Sequence, residues 1–330
     1  MITVSCAPPF SADVLRLDPK AEVQRIVDAV RDQVFRRLRR KGAVLGLSGG
    51  IDSSVAAALC VRALGAERVL GLLMPEFDSS ADSLRLGQML ADHLGIRAIL
   101  EDVGPILEAA GCYRRRDEAI RSVFPEYGPG YKSKIVLSAL SEKTPYRVFF
   151  LVIHSPEGDV QRKRLPLGAY QEIVAATNFK QRVRKMMEYH HADRLRYAVV
   201  GTPNRLEYDQ GFFVKNGDGA ADLKPIAHLY KTQVYQVAEY LEIPEAIRTR
   251  PPTTDTYSLE QSQEEFFFPV PYHVLDLCLY ARDHQLAARD IADAAGLTPD
   301  QVERVYQDID AKRKAAQYLH QAPLCVPTKR

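Results

Sequence analysis

The fold is decided by the stretch Gly46-Leu47-Ser48-Gly49-Gly50-Ile51-Asp52-Ser53-Ser54, which joins an apolar run to a helical one. The residues before it, Ala43 to Leu47, are apolar and predict a short buried strand. The residues after it, Ser53 to Leu64, predict a helix that ends at Gly65. Glycines let backbone N–H groups approach an anion closely, and a helix N-terminus adds partial positive charge. The turn therefore predicts a phosphate-binding site.

Strands and helices alternate on both sides of this turn. Ala21 to Arg40 has apolar residues at helical spacing, and Arg68 to Leu73 predicts a second strand. A helix over Ser83 to Leu94 and a strand over Ile96 to Leu100 follow. This order predicts an α/β fold with a doubly wound parallel sheet and right-handed crossovers. Ligands bind at the carboxyl ends of such strands, where the glycine turn lies.

The alternation is interrupted between about residues 112 and 170. Tyr146 to His154 is rich in β-forming residues, and Val160 to Leu167 predicts a return strand. We interpret this insert as a β-hairpin within a single domain over residues 1–330. From Tyr113 to Lys185 there are fifteen Lys and Arg against seven Asp and Glu, although the whole chain carries only +2. The basic insert is either a solvated surface or a contact for an acidic substrate or partner.

Regular alternation resumes after the insert. Ile173 to His191 predicts a helix, Tyr197 to Gly201 a strand, and Lys231 to Leu241 another helix. The last sixty residues, about 270–330, are predicted to be helical. Within them, Asp290 to Ile309 has the pattern of a helix-turn-helix, with Gly296 in the turn.

The cysteine spacing and hydropathy exclude several classes of protein. The five cysteines form no C-x-x-C pair, which argues against a structural zinc site, a disulfide framework and a paired-thiol sulfur carrier: Cys6, Cys60, Cys112, Cys278 and Cys325. No signal peptide or transmembrane run is present in the sequence. We therefore expect a cytoplasmic protein with reduced cysteines and no membrane partner.

The glycine turn belongs to neither of the two commonest nucleotide-binding motifs. It lacks the G-x-x-x-x-G-K-[ST] pattern of the Walker loop and the G-x-G-x-x-G pattern of dinucleotide-binding folds. It resembles the S-G-G-x-D-S loop of the N-type ATP pyrophosphatases, which cleave ATP between its α and β phosphates. In that resemblance, Asp52 is an oxygen ligand for a magnesium ion on the phosphates.

Five further motifs resemble those of the ammonia-dependent NAD synthetases, in the same order along the chain. They are Asn178 to Tyr189 (NFKQRVRKMMEY), Val200 to Glu207 (VGTPNRLE), Gly211 to Asp222 (GFFVKNGDGAAD), Pro225 to Val234 (PIAHLYKTQV) and Pro251 to Asp255 (PPTTD). Together with the glycine turn they span nearly the whole chain except the insert.

The resemblance implies a role for each matching residue. The ATP-binding residues are Gly46, Leu47, Ser48, Gly49, Gly50, Ile51, Asp52, Ser53, Thr202, Lys231 and Thr253. The magnesium ligands are Asp52 and Glu207, and the substrate-binding residues are Arg182, Lys215, Asp222 and Lys312. Asp52 and Lys231 form the catalytic set. Two carboxylates beside a triphosphate need a cation between them, because negative charges alone repel the nucleotide.

The implied reaction has two steps and needs no nucleophile from the protein. The carboxylate of nicotinic acid adenine dinucleotide attacks the α-phosphorus of ATP, which gives an acyl-adenylate and pyrophosphate. Ammonia then attacks the acyl carbon, which gives the amide and AMP. Because the loop begins by Gly46, we expect no N-terminal glutaminase domain before it, and we expect ammonia to come from solution or from a separate glutaminase. The resemblance also implies a homodimer.

Several departures from the family pattern leave alternatives open. Gln181 replaces the usual alanine, Lys185 replaces methionine, and the residues after Asp255 diverge. The same chemistry on a different carboxylate is one alternative, and a non-catalytic ATP-binding regulator is another. A sulfur-inserting tRNA enzyme is disfavoured by the missing C-x-x-C pair. DNA binding by the helix-turn-helix pattern is disfavoured because the family has a similar helical segment, so we expect no nucleic-acid partner.

Overall fold

The computed structural model describes residues 10–137, 148–252, 257–259, 267–268 and 270–326. The strands are β1 (Ala43–Gly46), β2 (Val69–Leu73), β3 (Arg97–Leu100), β4 (Lys132–Leu137), β5 (Phe149–His154), β6 (Val160–Arg164) and β7 (Ala198–Val199). The helices are α1 (Pro19–Arg31), α2 (Ile51–Leu64), α3 (Ala81–Leu94), α4 (Gly104–Ala109), α5 (Cys112–Arg121), α6 (Leu167–Leu195), α7 (Arg205–Gln210), α8 (Lys231–Tyr240), α9 (Glu245–Arg248), α10 (Tyr272–Asp283), α11 (Ala288–Ala295) and α12 (Pro299–His320).

The central sheet is parallel and has the order β3-β2-β1-β7. The chain moves outward from β1 through β2 to β3 and then returns to place β7 on the other side of β1. The direction of winding therefore reverses between β1 and β7. A crevice opens at such a switch point at the carboxyl ends of the strands, and ligands bind there. The glycine turn follows β1 at this position, as predicted.

Helices cover both faces of the sheet, so the predicted doubly wound fold is confirmed. On one face α1, α2, α3 and α8 enclose a large apolar core that includes Leu45 and Val55. On the other face α6 packs through Ala192 against Val44 and Leu70. Strands β1 and β2 are buried on both faces, which explains why they read as short continuous apolar runs without alternation, whereas the edge strand β3 is partly exposed.

Two helices differ from the sequence prediction in length. The first α-helix ends at Arg31, and residues Asp32–Arg37 form a wider π-helical turn instead of continuing to Arg40. The helix predicted over Ile173 to His191 extends over Leu167–Leu195. Its N-terminal half packs against α5 and the insert, and this tertiary packing adds turns that periodicity alone did not indicate.

The predicted hairpin is present as β5 and β6, but the insert contains one more strand. β4 pairs antiparallel with β5, which gives a three-stranded sheet in the order β4-β5-β6. One face of this sheet packs through Ile135 and Leu151 against Phe124 and Ile173. Part of the predicted β run, Tyr146 and Arg147, lies outside the described residues.

The helices α10, α11 and α12 form a separate apolar cluster beside the main core. The segment with a helix-turn-helix pattern corresponds to α11, a left-handed Gly296 and the start of α12. Val302, Val305 and Ile309 of α12 are buried in this cluster. In the part of the chain that the structure describes, no helix has both the length and the apolar character needed to cross a membrane.

Candidate active site

A cavity of about 750 Å³ opens at the carboxyl ends of β1 and β2. Most residues predicted to bind ATP line it, namely Gly46, Leu47, Ser48, Gly50, Ile51, Asp52, Ser53, Thr202 and Lys231. Glu207 and Lys312 also line it. Thr253 lies outside the described residues, although its neighbours Pro251 and Pro252 are lining residues. The structure therefore brings the glycine turn and the later motifs together around one space.

The glycine turn is held in place by contacts of its own. Gly49 has a φ of 71°, and a Cβ atom there would lie 2.7 Å from the Ser83 carbonyl oxygen, so a larger residue does not fit. Ser53 and Ser54 donate hydrogen bonds from their hydroxyls to the Gly50 carbonyl oxygen, at 3.0 and 2.8 Å. Because α2 begins at Ile51, the partial positive charge of its N-terminus lies at the cavity.

Lys231 is the buried cation of the site. Its ammonium makes a close ion pair with Asp52, whose other oxygen accepts a 3.0 Å hydrogen bond from the Asn204 side-chain amide. Burial alone lowers the pKa of Lys231, but the charges of Asp52 and Glu207 outweigh burial and raise it. The lysine therefore stays protonated although its side chain is 1% exposed.

The position of Lys231 is fixed by a carboxylate on α10. Asp276 accepts hydrogen bonds from the backbone N–H groups of Lys231, at 3.3 Å, and Thr232, at 2.7 Å. Helix α8 begins at Lys231, so Asp276 satisfies two of the backbone donors that a helix N-terminus leaves open. Burial raises the pKa of Asp276, and even with the opposing effect of the hydrogen bonds from Thr232 that pKa is about 6.

Glu207 has both a structural and an electrostatic role. It forms a capping box with Asn204 at the start of α7, in which each side chain accepts from the other residue's backbone N–H. Burial, and after it the negative charge of Asp52, raise the pKa of Glu207 to about 8 against the opposing effect of Lys231. The carboxyls of Asp52 and Glu207 are thus close enough to repel each other when both are ionised.

This pair of carboxylates fits a magnesium ion that arrives with phosphate. Among the described residues, no group of three or more Asp, Glu, His or Cys side chains is placed to form a complete metal cage. Mg²⁺ commonly takes one or two carboxylates from the protein and fills its other positions with phosphate oxygens and water. Asp52 and Glu207 match that smaller donor set, and both face the cavity beside the glycine turn.

The four predicted substrate-binding residues have different positions. Lys312 lines the cavity and donates a 2.6 Å hydrogen bond to the Phe267 carbonyl oxygen. Arg182 is exposed and donates to the Lys215 carbonyl oxygen at 3.3 Å, while the Lys215 ammonium binds the Tyr318 carbonyl oxygen at the end of α12. Asp222 accepts a 2.8 Å hydrogen bond from the Val199 backbone N–H. The last three side chains lie outside the cavity lining, and their roles stay predictions.

Helix α6 supplies charged lining residues that sequence reasoning missed. Lys185 makes a buried 2.6 Å ion pair with Glu188, and Arg184 donates to the Met74 carbonyl oxygen at 3.2 Å. Burial raises the pKa of Glu188 although Lys185 opposes the shift. In the sequence, Lys185 was noted only because it departs from the family pattern. The signal that could have identified the ion pair is that Glu188 follows Lys185 by three residues on a predicted helix.

A second buried network holds the loop after β2 against the cavity. The Lys180 ammonium is 3.0 Å from a Glu76 oxygen and 2.6 Å from an Asp78 oxygen. Tyr113 donates a 2.7 Å hydrogen bond to Glu76, and Arg116 pairs closely with Asp78. The network joins α5 and α6 to the loop, so it fixes the neighbouring residues that line the cavity.

Comparisons with known proteins agree with these motifs. A family model described as NAD synthase matches residues 22–122 and 158–317. A protein of Mesorhizobium japonicum named NH(3)-dependent NAD(+) synthetase is 62% identical over 311 residues, which cover 94% of this chain and 98% of that protein. A Rhizobium meliloti protein of the same name is 59% identical over 317 residues, which cover 96% and 95%.

A solved structure shares the fold. The NH3-dependent NAD synthetase from Campylobacter jejuni, in complex with the nitrate ion, aligns with a TM-score of 0.61 at 22% identity. The alignment covers 94% of this chain and 100% of that one. At this identity the likeness supports the fold alone.

Proposed function

The chain belongs to the NAD synthase family, and from that premise we propose that Asp52, Glu207 and Lys231 are the residues through which it uses ATP. The activity is a ligase reaction that forms a carbon–nitrogen bond. Deamidated NAD, ATP and ammonia give NAD, AMP and pyrophosphate. The observation that carries the assignment is the ion pair of Asp52 with the buried Lys231, which lies with Glu207 in the cavity that the glycine turn lines.

The geometry supports a separate role for each group around the phosphates. The glycine turn and the N-terminus of α2 would bind the phosphates through backbone donors. The Lys231 ammonium would balance the negative charge that grows on the α-phosphate as the substrate carboxylate attacks it. Asp52 and Glu207 would hold Mg²⁺, which supplies charge neutralisation to the phosphates. Catalysis then depends on positioning and electrostatics, because the protein contributes no covalent intermediate.

The products test this proposal directly. With ATP, Mg²⁺, ammonium and deamidated NAD, we expect AMP and pyrophosphate in equal amounts, and neither product when the acid acceptor is omitted. The reason is that the pyrophosphate-loop motif cleaves between the α and β phosphates. Mass spectrometry of the products gives the measurement, with other carboxylic acids as the control panel. Formation of ADP and phosphate would contradict the assignment.

The ammonia source is proposed to be free ammonia or a separate glutaminase. In the same assay, glutamine in place of ammonium should give no amide until a glutaminase is added. Amide formation from glutamine by the purified chain alone would contradict this part of the proposal.

We also propose a homodimer that is formed partly through α6. Met186 of this helix is 52% exposed, and Arg182 lies one turn away on the same exposed face. Met187 packs instead against the cluster around Leu107, so of these two neighbouring methionines only Met186 is available to a partner. A two-fold contact here would also place Arg182 next to a second subunit.

Sedimentation measurements test the dimer. The native chain should sediment as a dimer, and Met186→Glu should shift it toward the monomer because a charge replaces an apolar contact. Leu100→Glu is the matched control, since Leu100 is an equally exposed apolar residue at the end of β3. A native monomer with full activity, or equal effects of the two changes, would exclude α6 as the interface.

A further inference from the structure

We infer that the insert adds a binding subsite for the planar base of a substrate nucleotide at one end of the cavity. Its walls are Leu137 and Phe149 from the insert, Tyr170 from α6 and Tyr257 from the segment after Pro252. All four line the same cavity as the glycine turn. The inference rests on the proposed assignment of that cavity to the nucleotide substrates.

An aromatic stack forms the centre of this subsite. The rings of Phe149 and Tyr170 lie with centroids 4.3 Å apart and planes inclined by 23°. Leu137 is the cross-strand partner of Phe149 on the last pair of the β4–β5 ladder. Near-parallel rings with an aliphatic neighbour present a flat apolar surface, and nucleobases bind such surfaces by stacking in a sequence-tolerant way.

The strand register explains why these two residues reach the cavity. Successive side chains on a strand point to opposite faces, so Phe149 shares a face with Leu151, which is buried in the insert core. Phe150 points to the other face, where the Arg162 guanidinium lies 3.8 Å from its ring centroid. The basic residues of β6, Arg162, Lys163 and Arg164, are not among the residues that line the cavity, and the insert contributes the apolar Leu137 and Phe149 there.

The insert also holds the Tyr257 side of the subsite. The Ser133 backbone N–H donates a 2.9 Å hydrogen bond to the Ser258 hydroxyl, and the Leu259 N–H donates to the Ser133 carbonyl oxygen at 3.2 Å. Tyr257, the residue before Ser258, is buried and lines the cavity. Strand β4 thus fixes a segment that lies far along the chain, and both sides of the subsite depend on the insert.

The position along α6 favours a base over a phosphate. Glu188 of α6 lies beside Gly46 in the phosphate-binding turn, where its carboxylate would be 3.5 Å from a Cβ atom on the glycine. Tyr170 lies five turns earlier, which corresponds to about 27 Å along the helix. The side chains of Asn178 and Gln181 line the cavity between these points and offer amide groups to a sugar or a base edge. The subsite is therefore placed for the distal ring of an extended nucleotide.

The part of the subsite that the insert supplies lies outside the stretches that the family model matches. The family model leaves residues 123–157 unmatched, and these residues contain β4 and β5. Tyr170 falls in the matched part, so one half of the stack belongs to the shared framework and the other half is added by the insert.

Steady-state kinetics of three variants test the inference. Phe149→Leu keeps the apolar volume but removes the ring, so the KM for one nucleotide substrate should rise by about tenfold while kcat changes little. Phe149→Tyr keeps the ring and should leave both KM values close to those of the native enzyme. Phe150→Leu is the control, because it makes the same change at the next residue on the opposite face. Varying ATP and deamidated NAD separately identifies whose base binds, since only that substrate's KM rises.

The inference is overturned if Phe149→Leu leaves both KM values within about twofold of the native ones, or if Phe149→Leu and Phe150→Leu have equal effects. Should Phe149→Leu fail to fold, Leu137→Ala provides a second measurement on the neighbouring strand, with the same expected rise in KM. A parallel Lys231→Met variant separates the two proposals. If that variant turns over normally, the cavity assignment itself is wrong; if it is inactive and Phe149→Leu is unaffected, only the role of the insert is wrong.

Discussion

Replacing Lys231 with methionine should slow pyrophosphate release by about a thousandfold, the cost of losing a preorganised charge from a transition state. Methionine has a similar length but no charge, so the α-phosphate loses the cation that we assign to it. The same change leaves Asp52 without its ion-pair partner. Removing one partner of a buried ion pair destabilises a protein by about 3 kcal/mol or more. The Asp52 side chain is partly exposed to the cavity, so water can solvate its unpaired charge, and we expect the lower value.

A double variant separates the catalytic role of Lys231 from its structural role. Asp52→Asn combined with Lys231→Met removes both charges, so thermal stability should recover toward that of the native protein. Turnover should stay low, because the cation and one of the two proposed magnesium ligands are missing. The measurements are thermal unfolding and pyrophosphate release on the same samples. Recovery of activity in the double variant would show that Lys231 serves only to neutralise Asp52.

Replacing Glu207 with glutamine should reduce turnover by about a hundredfold or more without loss of the fold. The side-chain carbonyl of glutamine can still accept the hydrogen bond from the Asn204 backbone N–H, so the capping box at α7 is kept. An alanine at this position would lose that cap, and a stability defect would then be confused with a catalytic one. What glutamine removes is the negative charge that we assign to magnesium binding.

The pH dependence of magnesium affinity gives a second measurement on the same variant. Magnesium binds the ionised carboxyl, and the pKa of Glu207 is raised to about 8, so affinity should fall as the pH decreases below about 8. In Glu207→Gln this dependence should be much weaker. Titration of Mg²⁺ in the presence of ATP, between pH 6 and 9, measures it. Equal pH profiles for the two proteins would exclude Glu207 as a ligand.

The stability of the ligand-free protein should change with pH in the opposite direction to the magnesium affinity. The folded protein binds the Glu207 proton more tightly than the unfolded chain, whose carboxyl has the ordinary value of 4.5. Its contribution to stability is therefore largest at low pH and is lost as the pH rises from 4.5 through about 8. Glu207→Gln removes this loss. The free energy of unfolding of the variant, compared with that of the native protein, should therefore be more favourable near pH 8 than at low pH.

The sequence was most informative where local pattern and chemistry coincide. The glycine turn predicted the strand, the helix and the cavity together, because each residue type there has a specific backbone or phosphate-binding reason. Asn204 could also have been found, since an asparagine three residues before a glutamate is a capping-box pattern at a helix start. Its contact with Asp52 joins positions 152 residues apart, and no local pattern indicates such a contact.

The insert was the least predictable part for a related reason. β4 reads Lys-Ser-Lys-Ile-Val-Leu, with three polar residues before three apolar ones, so it lacks the polar–apolar alternation that indicates a half-buried strand. In the sequence it is separated from β5 by residues 138–148, many more than the two-residue loop that signals a hairpin. The basic composition left open a solvated surface or a contact with an acidic substrate or partner. The structure assigns the contact with the cavity to Leu137 and Phe149 instead, because register and not composition decides which side chains face inward.

The hydrogen bonds from Lys231 and Thr232 to Asp276 also set the order in which the site can assemble while the enzyme is synthesised. The ribosome makes the glycine turn first, and Asp276 follows Lys231 by 45 residues. Helix α8 gains its N-terminal acceptor only after α10 has left the ribosome and docked on the older part of the chain. The phosphate-binding turn is therefore synthesised before the chain can hold Lys231 in position next to it. The ATP-cleaving site is completed only when the C-terminal helices have folded.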